Sequence, residues 1–201
     1  NIIIYPLSFC WIVCIISSSV YNSDGLYIFL TVLSILLIFC INFFRDPNRI
    51  IPKQENYVLS PADGKIIKII YFDDPETGKT FKMVSIFLSV FNVHINRMPI
   101  KGKFINVKYV KGEFLAAFDH KASDKNERME IDIESKFGII KVKQIAGLIA
   151  RRIVCDVKNN EKLLQGDRLG IIKFGSRVDL YLPLNYKPLV SVGQTVIGGE
   201  T

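Results

Sequence analysis

The residues with the clearest chemical potential are a glycine and a serine between two strand-like runs. Gly175 and Ser176 separate Leu169–Ile172 from Val178–Leu182, with almost no loop between the runs. A glycine at such a place marks a bulge or a close backbone approach. A serine directly after it can reach the Gly175 carbonyl, and Ser176 Oγ could cut the chain if that peptide bond is strained and desolvated. The alternative is an ordinary glycine bulge followed by a polar residue.

Polar residues elsewhere in the chain could assist such chemistry. His94 follows an apolar run, and a histidine at the end of a strand can act as a general base near neutral pH. Asp63 precedes Gly64, and Asp-Gly between apolar runs predicts a turn at the start of a strand. Arg151 and Arg152 could bind phosphate or carboxylate through their guanidinium groups. Each of these residues also has a purely structural interpretation.

The elements that must position these residues are mostly strands. Short apolar or alternating runs follow residue 44, with turn signals between them, which is typical of a barrel or sandwich. The runs are 65–70, 83–91, 104–109, 129–134, 139–145, 169–172, 178–182 and 190–197. A short helix is predicted at 113–118, and a polar loop with His120 at 119–128. The predicted fold class is therefore mainly β (α+β), with a barrel- or sandwich-like domain.

The first 44 residues differ in composition from the rest. Ile2–Tyr21 and Leu26–Phe44 contain no charged side chain, and each is near the ~20 residues that cross a bilayer core as a helix. These runs predict a transmembrane helical hairpin. Arg45, Arg49 and Lys53 follow at once, which by the positive-inside rule places that end in the cytoplasm. A signal peptide, or a pair of helices that enters the membrane without crossing it, is the alternative.

The charge is concentrated after this apolar segment. All 26 Lys and Arg residues, and every acidic residue except Asp24, follow residue 44. A basic surface is either simply solvated or faces an anionic partner. An anionic membrane surface is favoured, and no nucleic acid is expected because no recognition helix or basic-aromatic strand pattern is present. The four cysteines form no CxxC motif or Cys/His cluster, so neither a disulfide framework nor a metal site is predicted.

Six sequence blocks, taken together and in order, resemble the phosphatidylserine decarboxylase family. They are FRDP (44–47), SPADG (60–64), NVHINRMP (92–99), NER (126–128), QIAGLIARRIV (144–154) and FGSRVD (174–179). The resemblance covers nearly all of the chain after the apolar segment. The short bacterial branch of this family also has an N-terminal membrane hairpin. The expected organisation is therefore a membrane anchor at 1–44 and a catalytic domain at 45–201.

The resemblance implies a proenzyme that makes its own cofactor. Ser176 would attack the Gly175 carbonyl to form an ester, and loss of the α-proton would cleave that ester by β-elimination. The dehydroalanine left at residue 176 would then become a pyruvoyl group with release of ammonia. The two fragments would remain together as a heterodimer. The mature enzyme would convert phosphatidylserine to phosphatidylethanolamine and CO2 through a Schiff base with the pyruvoyl ketone.

The resemblance also suggests roles for two further residues. Asp63 is expected to assist self-cleavage, and His94 to do acid/base work in the active site. The long branch of the family has a second histidine where this chain has Arg97, so the division of the base role between Asp63 and His94 is open. A decarboxylase for another serine-headed lipid would look alike. The resemblance gives His120 no role.

The expected location is the inner cell membrane, with the catalytic domain on the cytoplasmic side. A different class of function is a non-enzymatic, membrane-tethered module that binds lipid or protein. Such a module would leave the chain uncut, whereas the proenzyme interpretation requires two fragments. The state of the bond between Gly175 and Ser176 therefore discriminates between these two classes.

Overall fold

The computed structural model describes residues 3–21, 23–54, 56–75, 77–113, 125–147, 153–155, 157–173 and 176–201. The chain divides into two compact units, Asn1–Arg45 and Asp46–Thr201. The first unit contains helices α1 (Ile4–Val20) and α2 (Asp24–Phe43). These helices lie side by side, and the Trp11 indole Nε1–H donates a hydrogen bond to Ser34 Oγ over 2.7 Å.

The two helices are the predicted pair of apolar helices. Within the described residues, α2 is the one helix that is both long and apolar enough to cross a membrane by length and composition, whereas α1 has 17 residues. Large apolar side chains such as Phe9, Ile28 and Ile38 are exposed on their surfaces. A helix that is apolar all round needs an apolar environment, so these surfaces support the membrane interpretation.

Eleven strands form the second unit in the described part of the chain. Their bounds are β1 (Gly64–Asp73), β2 (Thr80–Leu88), β3 (Ile95–Arg97), β4 (Gly102–Val110), β5 (Arg128–Ser135), β6 (Gly138–Ala146), β7 (Ile153–Val154), β8 (Lys162–Leu163), β9 (Arg168–Ile172), β10 (Ser176–Leu182) and β11 (Thr195–Val196). One antiparallel sheet has the order β11-β1-β2-β10-β6-β5-β4-β8, and a smaller one has the order β3-β9-β7.

The mainly β fold class is confirmed, with 38% of the described residues in strands and 21% in helices. The large sheet is open, because its described end strands β11 and β8 do not pair with each other. The two sheets share one core, in which Ile153, Leu169 and Ile172 pack with residues of the large sheet. The architecture is therefore sandwich-like, and the large sheet is not closed into a barrel.

Strand β5 illustrates how the sequence pattern produces this core. Ile131 and Ile133 are fully buried, while Glu130 and Asp132 point to the other face, as the period of two requires. Residues 136–137 and Gly138, whose φ is +117°, form the tight connection to β6. A positive φ of this kind favours glycine.

Some sequence predictions differ from the structure. Strand β2 ends at Leu88 and not at residue 91, and the run at 190–197 contains only the short strand β11. Strands β3, β7 and β8 have two or three residues each, too few for a recognisable alternation. Most of the helix predicted at 113–118 lies outside the described residues.

Strand β10 occupies a central place in the large sheet. It pairs with β2 on one side and with β6 on the other, and all seven of its residues are buried. Val178, Leu180 and Leu182 face the main core, whereas Arg177, Asp179 and Tyr181 alternate onto the opposite face. The residue that begins this strand is therefore fixed by pairing on both sides.

Candidate active site

Ser176 begins β10 and lies in a row of three paired residues. It is opposite Leu88, the last residue of β2, and Ala146, the last residue of β6. Its side chain is fully buried, and Ser176 Oγ has no hydrogen-bond partner within the described part of the chain. A buried hydroxyl without a partner is uncommon, so this serine is a strong candidate for a reactive group.

His94 lies beside Ile172, the last residue of β9, which is only four residues before Ser176 in the chain. The His94 carbonyl accepts a hydrogen bond from the backbone N–H of Ile172, over 3.4 Å. The imidazole is fully buried, with Nδ1 2.9 Å from the Asn92 carbonyl oxygen. A carbonyl oxygen can only accept, so Nδ1 carries the proton and the neutral ring has its basic lone pair on Nε2.

Asp63 directly precedes β1, as predicted, and two groups hold its carboxylate. Arg49 Nη2 is 2.8 Å from both carboxylate oxygens, and the backbone N–H of Gly198 donates to Oδ1 over 2.8 Å. Strands β1 and β10 flank β2 and both pair with it at Phe87, so Asp63 and Ser176 are separated by two strand spacings, roughly 10 Å. Asp63 thus lies at the same end of the sheet as Ser176, in contact with Arg49.

Arg49 belongs to a short arm (residues 46–51) that begins the second unit and packs against the rest of it. Asp46 pairs with Arg97, 2.8 Å away, and with Arg168. Arg97 also donates to the carbonyls of Pro47 and Gly166. Arg97 is therefore engaged in holding the arm, which is a structural role for the residue that stands where the long branch has its second histidine.

Several of the predicted site residues lie outside the described residues. These are Gly175, Arg151 and Arg152; His120, for which no role is predicted, also lies outside them. The chain is described up to Lys173 and again from Ser176, so the two ends that flank the predicted cleavage bond are both known. The predicted meeting of two strands with almost no loop is confirmed at its two ends, because β9 ends at Ile172 and β10 begins at Ser176.

Two buried amide side chains near Ser176 were missed in the sequence. Gln144 Nε2 donates to Asn96 Oδ1 over 2.7 Å, and both side chains are fully buried. The position of Asn96 could have indicated its place in the site, because it comes two residues after His94 and the two share one face of an extended segment. A lone glutamine in an alternating strand gives no such indication.

On the opposite face of β10, the residue after Ser176 forms a buried ion pair. Arg177 Nε is 2.9 Å from Asp179 Oδ1, and Arg177 Nη2 donates to Asp179 Oδ2 over 2.9 Å. The Asp179 side chain is fully buried, and that of Arg177 is 4% exposed. Opposite charge and a direct hydrogen bond make two buried charged groups tolerable, so this pair allows both side chains to be buried at the start of β10.

The surroundings of Ser176 are compatible with self-cleavage and with a pyruvoyl group at residue 176. A nucleophile needs to be free of competing hydrogen bonds and close to a base. Ser176 Oγ meets the first condition within the described residues, and the orientation of His94 gives its ring a basic nitrogen. The buried position of Ser176 can hold a pyruvoyl group, which is small and has no charge.

Comparisons with known proteins agree with this site. The family model described as phosphatidylserine decarboxylase matches residues 36–201. A phosphatidylserine decarboxylase proenzyme from Wolbachia pipientis is 52% identical over 168 residues, which are 81% of this chain and 73% of the relative. The proenzyme from Chlorobaculum parvum is 48% identical over 167 residues, or 83% and 78% of the two chains. That from Nitratidesulfovibrio vulgaris is 45% identical over 189 residues, or 94% and 87%.

A match of this extent and identity exceeds what a shared fold alone produces, and it includes both the large sheet and the row at Ser176. The family consists of enzymes, and the relatives are named as proenzymes. The chain therefore belongs to the phosphatidylserine decarboxylase family.

Proposed function

We propose that this chain converts phosphatidylserine to phosphatidylethanolamine and CO2, with a pyruvoyl group that it makes from Ser176. The observation that carries the proposal is the fully buried Ser176 hydroxyl, which has no partner among the described residues. It follows Gly175 in a chain whose relatives are named proenzymes. A buried hydroxyl left without a hydrogen bond costs stability, and a reaction in which that hydroxyl is consumed accounts for keeping it.

In the self-cleavage step, Ser176 Oγ attacks the Gly175 carbonyl carbon and the Gly175–Ser176 C–N bond breaks as the C–O bond of the ester forms. A base then removes the Ser176 α-proton, the Cβ–Oγ bond of Ser176 breaks, and Oγ leaves with Gly175 as part of its new carboxylate. Hydrolysis of the resulting dehydroalanine releases ammonia. We assign the proton transfers to His94 and Asp63, because both lie at the end of the sheet where β10 begins.

The pyruvoyl ketone would supply the electrophilic carbonyl that the standard side chains lack, together with an acceptor for the electrons released with CO2. The chain's own contribution is positioning and proton delivery. The Asn92 carbonyl holds the His94 ring by accepting from Nδ1, so Nε2 is the nitrogen that can take up or return a proton. Burial of this ring excludes bulk water from the transfer.

The cleaved fragments should form a stable heterodimer. The small fragment would begin at residue 176 and therefore contain β10 and β11. Strand β10 pairs over seven residues with β2 and over six with β6, both of which belong to the large fragment. The small fragment also donates the Gly198 N–H to Asp63. These contacts support a pair of fragments that remains folded as one unit.

The membrane is the expected site of action. The first unit contains the apolar helices α1 and α2, of which α2 is long enough to cross a bilayer by length and composition. The substrate of the family is itself a lipid. We infer that the hairpin anchors the enzyme in the inner membrane with residues 45–201 as a catalytic domain on the cytoplasmic side, facing anionic lipid head groups.

A direct assay tests the proposed activity. The purified chain in detergent should release labelled CO2 from carboxyl-labelled phosphatidylserine, and Ser176→Ala should release none. Ser85→Ala is a matched control, because Ser85 is also fully buried and its hydroxyl also has no partner in the described region, but it lies on the opposite face of the sheet from Ser176. The control should retain activity. Release of CO2 by Ser176→Ala would contradict the proposal.

The non-enzymatic alternative is not favoured. The family match spans residues 36–201, so it covers the proposed cleavage position together with His94 and Asp63. A binding module would have no need of an unpartnered, buried serine at the start of a central strand.

A further inference from the structure

A buried pair of amides connects the two sheets next to Ser176. Asn96 is on β3 of the small sheet, and Gln144 is on β6 of the large sheet. The bond from Gln144 Nε2 to Asn96 Oδ1 is 2.7 Å long, and neither residue has any exposed surface. This pair is the direct polar link that we find between β3 and β6 in the described part of the chain.

The pair leaves part of its hydrogen-bonding capacity unused. Asn96 Nδ2 and Gln144 Oε1 are buried and have no partner within the described residues. If both side-chain amides are flipped, Asn96 donates the hydrogen bond and Gln144 accepts it. The NH2 group of Gln144 and the carbonyl oxygen of Asn96 are then the groups without a partner in the described residues. In either orientation, the pair therefore offers one donor and one acceptor at a buried position.

The unused groups lie close to the start of β10. Gln144 is directly opposite Val178, and Ala146 is directly opposite Ser176. Gln144 and Ser176 are therefore diagonal neighbours on one face of the sheet, a separation of roughly 7–8 Å that long side chains can bridge. Asn96 reaches the same place from the small sheet, two residues after His94.

The local backbone accommodates this pair. Gly170 is opposite Asn96 in the small sheet, and a Cβ at Gly170 would lie 3.2 Å from Gln144 Nε2 and 2.6 Å from the Val154 carbonyl oxygen. Any larger residue would force Gln144 or the backbone to move. If the pair served only to join two sheets, two apolar residues would do so without leaving buried polar groups unsatisfied.

We propose that Asn96 and Gln144 bind the amino-acid part of the substrate's serine head group. The donor faces the carboxylate and the acceptor faces the ammonium group, which are the two charged groups that a serine head has in addition to its phosphate. This inference rests on the proposed function, because it places the head group beside residue 176. It makes these amides specificity-determining residues for a serine-headed lipid.

Neutral amides suit a carboxylate that must leave as CO2. An arginine at this position would form a strong ion pair with the carboxylate, and this pair would have to be given up during the reaction. A single amide donor orients the carboxylate with a weaker bond. The amide N–H donor therefore favours a substrate that has a carboxylate. It does so without stabilising the bound substrate so strongly that loss of CO2 is slowed.

The test compares two soluble head groups that differ by one carboxylate, glycerophosphoserine and glycerophosphoethanolamine. Their dissociation constants are measured by calorimetry on the complete protein after self-cleavage, with both fragments present. The pyruvoyl ketone is first reduced with borohydride to prevent turnover. The wild-type protein should bind the serine compound at least about tenfold more tightly, as expected for one hydrogen bond to a charged group. Gln144→Met and Asn96→Leu should each bring this ratio to within about threefold, and the control Ser85→Ala should keep it.

Self-cleavage of each variant is measured by intact mass, and a cleaved variant is taken as folded. If Gln144→Met is not cleaved, Gln144→Glu keeps the shape and the acceptor but adds a charge that repels the carboxylate, and its ratio should also fall. A cleaved variant with the wild-type ratio would overturn the inference, as would a wild-type ratio near one. A wild-type chain that is not cleaved at all would instead contradict the proposed function.

Discussion

The Asn92 carbonyl oxygen holds the buried His94 ring by its Nδ1. This contact leaves the basic lone pair on Nε2, where the proposed acid/base work requires it. His94→Ala is therefore expected to lower decarboxylation by roughly 10²–10⁴-fold, the usual contribution of a positioned acid or base. The measurement is the rate of CO2 release, normalised to the amount of cleaved protein. A normal rate in the cleaved variant would exclude His94 from acid/base work.

Asp63 is held by Arg49 and by the Gly198 N–H, so its carboxylate has a defined position at the end of the sheet. Asp63→Asn should slow self-cleavage by about tenfold or more, because it removes a base. The measurement is the fraction of chain cut against time after synthesis in a cell-free system. Asp46→Asn is the matched control, since Asp46 also pairs with arginines, and it should cut at the wild-type rate. Equal slowing in both variants would show that Asp63 acts only through stability.

The residues of the proposed cleavage site could be identified as candidates from the sequence, whereas the amides near them could not. A glycine and a serine between two apolar runs define a local geometry that can be read from a few neighbouring residues. The contact between Asn96 and Gln144 joins positions 48 residues apart, and it depends on how two sheets pack. No local pattern contains that information.

At the level of elements, β5 carries two carboxylates with opposite electrostatic environments. Burial raises the pKa of Asp132, and Lys141 and Asn106 offset this only in part. Burial also acts to raise the pKa of Glu130, but the hydrogen bond from Arg128 and the charges of Lys143 and Arg128 outweigh it and lower that pKa. The two residues are neighbours on one face of the same strand, so they form a matched pair for experiment.

The two carboxylates should therefore have opposite effects on thermal stability. The lowered pKa of Glu130 stabilises the fold above the acid range, and this contribution is lost as pH falls through the folded pKa. The raised pKa of Asp132 favours the fold at low pH, and that contribution is lost as pH rises. At pH 7, Glu130→Gln should lower the Tm and Asp132→Asn should raise it, by modest amounts because both groups are partly solvated.

Both Tm differences should shrink at about pH 3, below the ordinary carboxylate pKa values of about 4. The measurement is thermal unfolding of the full chain in detergent at the two pH values. A Tm change of the same sign in the two variants at pH 7 would contradict the assignment of these environments.

The strands themselves could be predicted where they are long enough for alternation. Met129, Ile131 and Ile133 alternate with charged residues, and the structure places these apolar residues against the core. The short strands β3, β7 and β8 could not be predicted, because their pairing is imposed by contacts with longer strands. Strand β3 carries Asn96 and directly follows His94, so this limit also hid part of the site.

For the whole molecule, the central place of β10 has a consequence for the cleaved enzyme. Strand β10 lies between β2 and β6, so in the proposed heterodimer the small fragment would insert a strand between two strands of the large fragment, and its removal would open the main core. The two fragments should co-elute in size-exclusion chromatography and separate only in denaturant. Loss of the small fragment in native buffer would contradict the proposed heterodimer.

Two compact units, Asn1–Arg45 and Asp46–Thr201, correspond to the change in composition that the sequence shows near residue 44. A long run without charged side chains can be recognised in a sequence without knowledge of the fold. The open form of the large sheet could not be read in the same way. Closure of a sheet depends on the pairing of its first and last strands, which strand patterns do not determine.

The central claim is that the chain cuts itself before residue 176 and converts that residue to a pyruvoyl group. The most direct measurement is the intact mass of the purified wild-type protein under denaturing conditions. The account predicts two polypeptides that divide between Gly175 and residue 176, with a blocked, carbonyl-reactive N-terminus on the smaller one. A folded preparation that contains only the full-length chain, with an unmodified Ser176, would contradict it.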